Sequence, residues 1–260
     1  MMTKKEDEIM SQSTQSNVAL VTGAAQGLGF HIASRLYAAG FRVVLTDANV
    51  EAAKSAALSL DPEGKSAIAC ELNIAKKSDF ENALKFALAE FGALHVLVNN
   101  AAVTKATPVM DISPEEFNEV VNINLGGVFV GCQVMGKYMA EQGYGRIINM
   151  SSLAGQNGGT STGAHYAASK GGILTVTKVF AKELASKGVT VNAIAPGPID
   201  SPMVTALVPE ERLPTLLGAI PVGQLGDADF IGDMVVQFAR PEAYFTTGTT
   251  WDVNGGLFMR

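Results

Sequence analysis

Short apolar runs alternate with helical patterns along the chain from position 18 onward. Each run is apolar at successive positions, not at every second one, which is typical of strands covered on both faces. A parallel sheet between two helix layers has such strands. The predicted strands are Val18–Val21, Val43–Thr46, Ala67–Leu72, Val96–Val98, Ile147–Met150, Val191–Ile194 and Thr249–Val253.

The segments between these runs carry helix start and stop signals. Ser113-Pro114-Glu115-Glu116 combines a capping serine with Pro and Glu at favoured positions of a first helical turn. Ser78-Asp79-Phe80-Glu81 predicts a second capping box, and an apolar helix face follows it. Helix ends are predicted at the glycines at positions 40, 92 and 188.

Strand–helix alternation without a linker or repeat predicts one α/β domain over residues 18–260. It would be a doubly wound Rossmann fold, a seven-stranded parallel sheet with helices on both faces. The segment from Pro196 to Gly226 breaks the rhythm, and we predict a substrate flap near 197–226. Residues 1–17 are polar and lack an apolar signal core, so we interpret them as a flexible N-terminal extension.

Composition narrows the class of protein. The 260 residues are 47% hydrophobic and 17% charged, and the net charge is −6. This balance indicates a large core and argues against nucleic acid or an anionic membrane as a partner. Cys70 and Cys132 lie in apolar runs, which favours free thiols and a cytoplasmic location.

A glycine-rich segment, Thr22–Gly29, follows the first strand and opens a helix. Glycines there permit a tight turn and bring a dinucleotide pyrophosphate close to the helix N-terminus. Asp47 ends the next strand, where its carboxylate could accept the adenosine ribose hydroxyls and would repel a 2′-phosphate. We therefore expect NAD(H) in preference to NADP(H). The alternative is that Asp47 caps the next helix.

Tyr166 and Lys170 are spaced to share one helix face. A nearby ammonium favours the phenolate, so this pair could exchange a proton with an alcohol or carbonyl oxygen. Ser152 follows a strand end 14 residues earlier and could bind the reacting oxygen, with Ser151 as its competitor. No metal is expected, because three scattered histidines lack ligand spacing, and one of them is interpreted as a helix-surface residue. These are His31, His95 and, as the surface residue, His165.

Several motifs in order resemble those of the short-chain dehydrogenases/reductases, over nearly all of the chain from Val18. The motifs are Thr22–Gly29, Asn99-Asn100-Ala101-Ala102, Asn124-Leu125, Ser152, Tyr166 with Lys170, Pro196-Gly197, and Val253-Asn254-Gly255-Gly256. The resemblance implies that Tyr166 is the general acid/base and that Lys170 lowers its pKa and binds the nicotinamide ribose. It also implies that Ser152 holds the substrate oxygen.

Asn124 would support a water that links Lys170 to solvent, in preference to Asn122. The alternative for Asn124 is a polar residue in mid-helix that bonds backbone. The resemblance also implies a cofactor-binding set, in which the adenine lies between Asn73 and Ile74 and the carboxamide meets Ile199. The set is Gly23, Gln26, Gly27, Leu28, Gly29, Asp47, Asn73, Ile74, Asn99, Ala101, Tyr166, Lys170, Pro196, Gly197, Ile199 and Ser201.

Some positions depart from the family pattern. Ala102 replaces a glycine, Asn73 an aspartate and Ser201 a threonine, and the spacing from Ser152 to Tyr166 is one residue longer than usual. No departure removes a catalytic group. Substrate contacts are expected from Leu153, Gln156, Asn157, Met203, Val204 and Leu207.

The expected activity is reversible hydride transfer between NAD(H) and a small-molecule secondary alcohol or ketone. One alternative is a 3-oxoacyl-thioester reductase, an activity that commonly uses NADPH. Another is a non-catalytic dinucleotide-binding scaffold. The family implies a homotetramer that packs through the helices holding Asn124 and Tyr166 and through the C-terminal strand, where the tail Leu257–Met259 is apolar.

Overall fold

The computed structural model describes residues 17–159, 163–200 and 210–259. All seven predicted strands form and pair in parallel in one sheet, which confirms the predicted α/β class. The strands are β1 (Val18–Thr22), β2 (Arg42–Asp47), β3 (Ala67–Glu71), β4 (Val96–Asn99), β5 (Gly145–Met150), β6 (Val189–Pro196) and β7 (Thr250–Val253). Five of them extend one or two residues beyond a predicted end, whereas β3 ends one residue earlier and β7 begins one residue later than predicted.

The strand order is β3-β2-β1-β4-β5-β6-β7. The chain moves outward from β1 to β3 and then returns to the other side of β1 with β4. Val21 at the end of β1 lies between Leu45 of β2 and Val98 of β4. In such sheets the crevice at this reversal, beyond the carboxyl ends of the strands, is where ligands bind.

Nine α-helices are described, and shorter helical turns join them. The helices are α1 (Gly27–Ala38), α2 (Val50–Leu60), α3 (Lys77–Phe91), α4 (Pro114–Val121), α5 (Gly127–Gln142), α6 (Ala154–Asn157), α7 (Ala164–Leu184), α8 (Leu213–Ala219) and α9 (Ala228–Ala239). A single π-helical turn, Asn122–Gly126, joins α4 to α5. The 3-10 turns are Val109–Asp111, Ala185–Lys187, Glu210–Arg212 and Pro241–Phe245.

Two apolar clusters cover the two faces of the sheet, which explains the unbroken apolar runs of the strands. One cluster joins Val21 and Leu45 to α1 and α9, with Phe238 fully buried in it. The other joins Leu20 and Val44 to α3, α5 and α7, and Phe80 fills its centre. Alternate strand residues therefore enter opposite layers.

The helix signals are confirmed at one capping motif and wrong at the other. The Ser113 side chain accepts the Glu116 N–H and caps α4 as predicted. Ser78, in contrast, lies inside α3, which begins one residue earlier at Lys77. The Asp79 carboxylate accepts the Asn73 N–H, at 3.1 Å, so it holds the turn into α3 in place of a serine cap. The predicted stops at the glycines at 40, 92 and 188 all have positive φ, as helix-ending glycines do.

The described ends of the segment near 197–226 are hydrogen-bonded to each other. The Asp200 N–H donates to Gly226 O, and the Gly226 N–H donates to Pro198 O, both at 2.9 Å. The predicted residues Ser201, Met203, Val204 and Leu207 lie outside the described residues, as do residues 1–16. Among the described helices, none combines the length and the apolar character needed to cross a membrane.

Candidate active site

The glycine-rich segment wraps tightly over the end of β4. Gly23 has a φ of +64°, and a Cβ added there would lie 2.9 Å from the Ala101 Cα. A Cβ on Gly29 would collide with the Gly23 carbonyl oxygen. A side chain at either position would push apart the backbone of this tight turn, so the turn requires glycine at both positions. Gln26 precedes α1 and makes no side-chain bond to its N-terminus.

Thr22 and Asn100 stabilise this segment through hydrogen bonds. This role was not predicted from the sequence, although both residues lie in the family motifs. Thr22 Oγ1 accepts the N–H groups of Asn100, at 3.0 Å, and Ala101, at 3.1 Å. The Asn100 amide donates in turn to the carbonyl oxygens of Thr22 and Gly23. These reciprocal bonds fix the loop after β1 against the loop after β4.

Asp47 stands half-buried at the end of β2. Its Oδ1 accepts the Asn49 N–H at 3.0 Å, and its Oδ2 lies 3.4 Å from the Ala25 nitrogen. The alternative that Asp47 caps the next helix is wrong, because Asn49 is the N-cap of α2 and accepts the Ala52 N–H. Asp47 is thus the carboxylate beside the glycine-rich segment.

The remaining residues of the predicted cofactor-binding set differ in what their side chains do. Asn73 Oδ1 accepts the Ala75 N–H, and Ile74 is buried. The Asn99 side chain points into the core and donates to Asn149 Oδ1 at 2.9 Å, so its backbone is what lies at the sheet edge. A Cβ on Gly197 would lie 2.8 Å from the Asn254 Cα, and Ile199 is buried beside Gly226.

The two adjacent serines after β5 have different partners. Ser151 Oγ donates to Lys170 O at 2.8 Å and is buried. Ser152 Oγ accepts the Ala154 N–H, and its hydroxyl is hydrogen-bonded to Tyr166. Ser152 is therefore the serine that the fold brings to Tyr166.

Burial dominates the electrostatics of Tyr166 and Lys170. It raises the pKa of Tyr166, and the Ser152 hydrogen bond opposes this rise. Burial also lowers the pKa of Lys170 to about 8. Lys170 Nζ donates to Met150 O at 2.7 Å and lies 5.5 Å from the centroid of the Tyr166 ring. Both groups therefore titrate differently from their counterparts in water.

Asn124 occupies the π-helical turn and is fully buried, whereas Asn122 is exposed. Its Oδ1 accepts the Val103 N–H at 2.8 Å, and its Nδ2 donates to Val103 O at 2.9 Å. Nδ2 also donates to Ser169 Oγ, which donates to the Tyr166 carbonyl. Asn124 bonds backbone, as the alternative has it, but the backbone belongs to the segment after β4 and not to its own helix.

His165 is not the helix-surface residue that the sequence predicted. Its side chain is fully buried because the first turn of α4 packs over the start of α7. Nε2 lies 2.9 Å from Glu116 Oε1, and Nδ1 accepts the Tyr166 N–H at 2.8 Å. The pairing of His165 with Glu116 had no signal in the sequence.

The predicted substrate contacts that are described fall on and around α6. Leu153 is buried, and its N–H donates to Pro196 O. Gln156 Nε2 lies 2.5 Å from Asp252 Oδ1 of β7, so this side chain reaches across β6. Asn157 is exposed, and its Oδ1 accepts the Gly159 N–H.

The residues at this edge suit a dinucleotide. The glycine cradle, which is the turn holding Gly23, Gly27 and Gly29, keeps the backbone tightly folded and leaves open space beside Gly27, and Asp47 stands next to it. Beyond the cradle, a phenol, a hydroxyl and an amine converge in a buried corner formed by Tyr166, Ser152 and Lys170. Such a corner can move a proton to or from an oxygen atom and stabilise charge on it.

Comparison with known proteins gives a consistent result. Residues 23–258 match the family model described as "Enoyl-(Acyl carrier protein) reductase". The chain is 37% identical to a 3-oxoacyl-[acyl-carrier-protein] reductase of Salmonella typhimurium, in an alignment that covers 95% of this chain and 99% of the relative. The reductases of the same name from Escherichia coli and Vibrio cholerae are 38% and 39% identical, and each covers 94% of this chain and 98% of the relative. The chain therefore belongs to the short-chain dehydrogenase/reductase family and is an oxidoreductase of alcohol or ketone groups that uses a nicotinamide dinucleotide.

Proposed function

We propose that this protein interconverts a secondary alcohol and its ketone, with Tyr166 as the general acid/base. The observation that carries the proposal is the hydrogen bond between Tyr166 and Ser152, one helical turn from buried Lys170. A bound nicotinamide dinucleotide supplies the hydride acceptor or donor. In alcohol oxidation, the Tyr166 oxygen takes the hydroxyl proton, and in ketone reduction it returns that proton.

Ser152 and Lys170 assist this proton transfer in the proposal. The Ser152 hydroxyl has a single proton, which it donates to the Tyr166 oxygen in the free protein and to the reacting oxygen when substrate is bound, where it stabilises developing negative charge. The Lys170 ammonium holds the nicotinamide ribose and favours the phenolate form of Tyr166. Asn124 holds the carbonyl of Tyr166 through Ser169, in addition to the water that the family pattern implies.

We assign the cofactor to the crevice over β1 and β4, held by the set predicted from the sequence. Gly23, Gly27 and Gly29 give it access to the backbone, and Asp47 binds the adenosine ribose. Ser201 is included from the sequence alone. The substrate lies between α6 and the flap near 197–226, and residues 18–260 act as one catalytic domain.

NAD(H) is the preferred cofactor in this proposal. The Asp47 carboxylate accepts two ribose hydroxyls but repels a 2′-phosphate, and neither Gln26 nor Ala48 offers a compensating cation. The test is kcat/KM with each cofactor, for the natural protein and for Asp47→Ser. We expect the natural protein to favour NADH and the variant to lose that preference. A natural preference for NADPH would overturn the argument from Asp47.

The decisive test of the reaction is Tyr166→Phe. Because general acid/base catalysis contributes about 10²- to 10⁴-fold, we expect turnover to fall by a factor in that range. The matched control is Tyr144→Phe, which removes a buried hydroxyl with no hydrogen-bond partner at the start of β5, on the opposite edge of the sheet. Retention of most turnover in Tyr166→Phe would remove Tyr166 from the mechanism.

A second candidate is the reduction of a 3-oxoacyl thioester. The names of the relatives favour it, since all three relatives compared above are 3-oxoacyl-[acyl-carrier-protein] reductases. The net charge of −6 counts against an acidic carrier as partner. Rates on an acetoacetyl thioester with NADPH, compared with rates on a panel of cyclic, steroid and sugar alcohols with NAD, separate the two candidates.

We further propose a cytoplasmic homotetramer that packs through α5, α7 and the C-terminal strand. Phe129 on α5 and Val179 on α7 are 45% and 59% exposed, which is unusual for large apolar side chains on facing helices. A second copy would cover them. The free thiols Cys70 and Cys132 suit a reducing compartment. Light scattering tests the assembly, and a monomer would contradict it.

A further inference from the structure

Tyr166 lies in the part of α7 where helices fray. It is the third residue of the helix, after Ala164 and His165. The N–H groups of a first helical turn have no acceptor within the helix. The N-cap position is Gly163, which has no side chain to offer one. The phenol of Tyr166 must nevertheless stay aligned with Ser152.

The side chain of His165, the second residue of α7, supplies the missing acceptor. Its Nδ1 lies 2.8 Å from the Tyr166 nitrogen. Because a backbone N–H can only donate, Nδ1 must carry the lone pair, and the ring proton therefore sits on Nε2. Nε2 faces Glu116 Oε1 at 2.9 Å and donates to it. The two contacts together define one tautomer and one ring orientation.

The surroundings of the ring fix it further. A Cβ on Gly163 would overlap His165 Cε1, so the ring fits because residue 163 is glycine. The Gly163 N–H donates to Lys105 O at 3.1 Å, which ties the start of α7 to the segment after β4. Glu116 is held as an acceptor in turn, since hydrogen bonds from Thr107 and then His165 keep the pKa of its carboxyl below the ordinary value.

We propose that His165 is a positioning residue for Tyr166, anchored by Glu116, a role that rests on the proposed function of Tyr166. His165 holds the Tyr166 N–H while Ser169 holds the Tyr166 carbonyl, so the backbone of the reacting residue is fixed on both sides. The backbone amide proton of Tyr166, which is hydrogen-bonded to Nδ1, does not dissociate during turnover. His165 therefore positions the backbone of Tyr166 and does not relay a proton.

The two hydrogen bonds of His165, to the Tyr166 N–H and to Glu116, can be removed separately by the choice of side chain at position 165. Asparagine places an acceptor oxygen where histidine has Nδ1, whereas glutamine places its terminal amide near Nε2. We expect His165→Asn to keep the bond to Tyr166 and to lose the bond to Glu116. His165→Gln does the reverse, and His165→Ala loses both.

The test measures hydrogen exchange of the first turn of α7 by mass spectrometry, and kcat and KM for each variant. In His165→Ala we expect faster exchange at the Tyr166 amide and a kcat lowered by about tenfold to a hundredfold, as for a misplaced catalytic group, with KM for the cofactor within twofold. His165→Asn should recover most of the protection and of the kcat, and His165→Gln should recover little of either.

His95 provides the matched control. His95 is partly buried and its Nδ1 accepts a backbone N–H, that of Val18 at 3.0 Å, but it lies at the amino end of β4, away from the site. His95→Ala should lower the melting temperature and leave α7 exchange and kcat within twofold of the natural protein.

Two results would overturn the proposal: unchanged exchange and kcat in His165→Ala, or rescue by glutamine but not by asparagine. If His165→Ala does not fold, the His165→Asn and His165→Gln variants still test the proposal: higher protection and kcat in His165→Asn support it, and higher values in His165→Gln contradict it. Failure of the proposed function is separate, because it shows as turnover retained in Tyr166→Phe, whereas the exchange measurement depends on His165 alone.

Discussion

Ser151 and Ser152 are neighbours in sequence, yet their hydroxyl groups reach different parts of α7. Ser151 bonds the backbone of Lys170, and Ser152 bonds the phenol of Tyr166. Successive residues at a strand end point to opposite sides, so one of the pair must face away from the ligand crevice. The sequence narrowed the choice to these two, and the contact with Tyr166 separates them.

Alanine at each serine should therefore have different effects. In Ser152→Ala the hydrogen bond that lowers the pKa of Tyr166 is lost, so that pKa rises and the acidic limb of the pH profile for alcohol oxidation moves to higher pH. We expect kcat to fall by about 10²-fold, as when an oxyanion donor is removed. Ser151→Ala should mainly lower the melting temperature, because it removes a buried hydrogen bond that ties the end of β5 to Lys170 O of α7. Equal losses of turnover in both variants would contradict this assignment.

Lys170 offers a second prediction at the residue scale. Its pKa of about 8 means that the ammonium is charged below that pH and loses its charge above it. In Lys170→Ala no ammonium favours the phenolate, so burial alone sets a raised pKa of Tyr166, opposed only by the Ser152 hydrogen bond. We expect weaker NADH binding in a fluorescence titration and an optimum for alcohol oxidation shifted to higher pH. An unchanged pH profile would show that Lys170 does not influence Tyr166.

At the scale of elements, α6 and α7 are held unusually close. A Cβ on Gly155 would lie 2.5 Å from the Lys170 carbonyl carbon, a backbone atom that cannot move without shifting α7. Ser152 and Lys170 are thus brought together by a contact between two helices at a glycine. This contact could not be predicted from the sequence, because α6 is four residues long and carries no periodic pattern.

Gly155→Ala should displace α7 and lower both stability and turnover. Overpacking typically costs about 1–3 kcal/mol, and we expect a destabilisation of that order. Gly218→Ala is the matched control, since it lies in α8 and a Cβ there meets no atom within 4 Å. In thermal unfolding, Gly218→Ala should melt at or above the natural temperature, and Gly155→Ala clearly below it. Equal melting temperatures would contradict the tight contact.

The turn from α2 to β3 depends on one carboxylate. Asp61 accepts the N–H groups of Glu63, Lys65, Ser66 and Ala67 at 2.6 to 3.3 Å. The Ser66 bond is the largest cause of a lowered pKa, opposed by burial. Because the folded pKa lies below the unfolded value, Asp61 contributes stability above the unfolded pKa of about 3.9, and that contribution is lost as pH falls through the folded pKa.

Asp61→Asn should therefore lower the melting temperature at pH 7, and the deficit should shrink as the pH is lowered through about 4 and below. Glu90→Gln is the control, because Glu90 is exposed on α3. Thermal melts of both variants across this pH range check the prediction. A deficit that does not depend on pH would mean that the charge of Asp61 plays no part.

At the scale of the whole molecule, the fold was accessible from sequence because burial on both sheet faces leaves continuous apolar runs, as in Val18–Val21 and Val96–Val98. Ser152, Tyr166 and Lys170 were accessible because a strand end and one helical turn place them. The Glu116–His165 pair was not, since its members lie 49 positions apart and meet through helix packing. The predicted cap at Ser78 failed because Asp79 competes for the same turn.

A surface variant tests the proposed assembly at this scale. The rings of Phe129 and Phe180 pack at a tilt with centroids 5.6 Å apart, beside exposed Val179. Phe129→Asp with Val179→Asp would place charges in the proposed interface, where an unpaired carboxylate is costly to bury. We expect light scattering to show a smaller species than for the natural protein. An unchanged mass would exclude this face as an interface.

The closed base of the loop from Asp200 to Gly226 makes this segment a replaceable cassette. Two hydrogen bonds join its two ends to each other, so residues can be inserted between them without disturbing the strands that precede Ser152 and the glycine cradle. Lengthening a flexible loop is inexpensive, at about 0.6 kcal/mol for each doubling. Relatives with the same proton-transfer corner can thus diverge in substrate by exchanging this one segment, and an enzyme engineer can graft a foreign segment between the same two anchors.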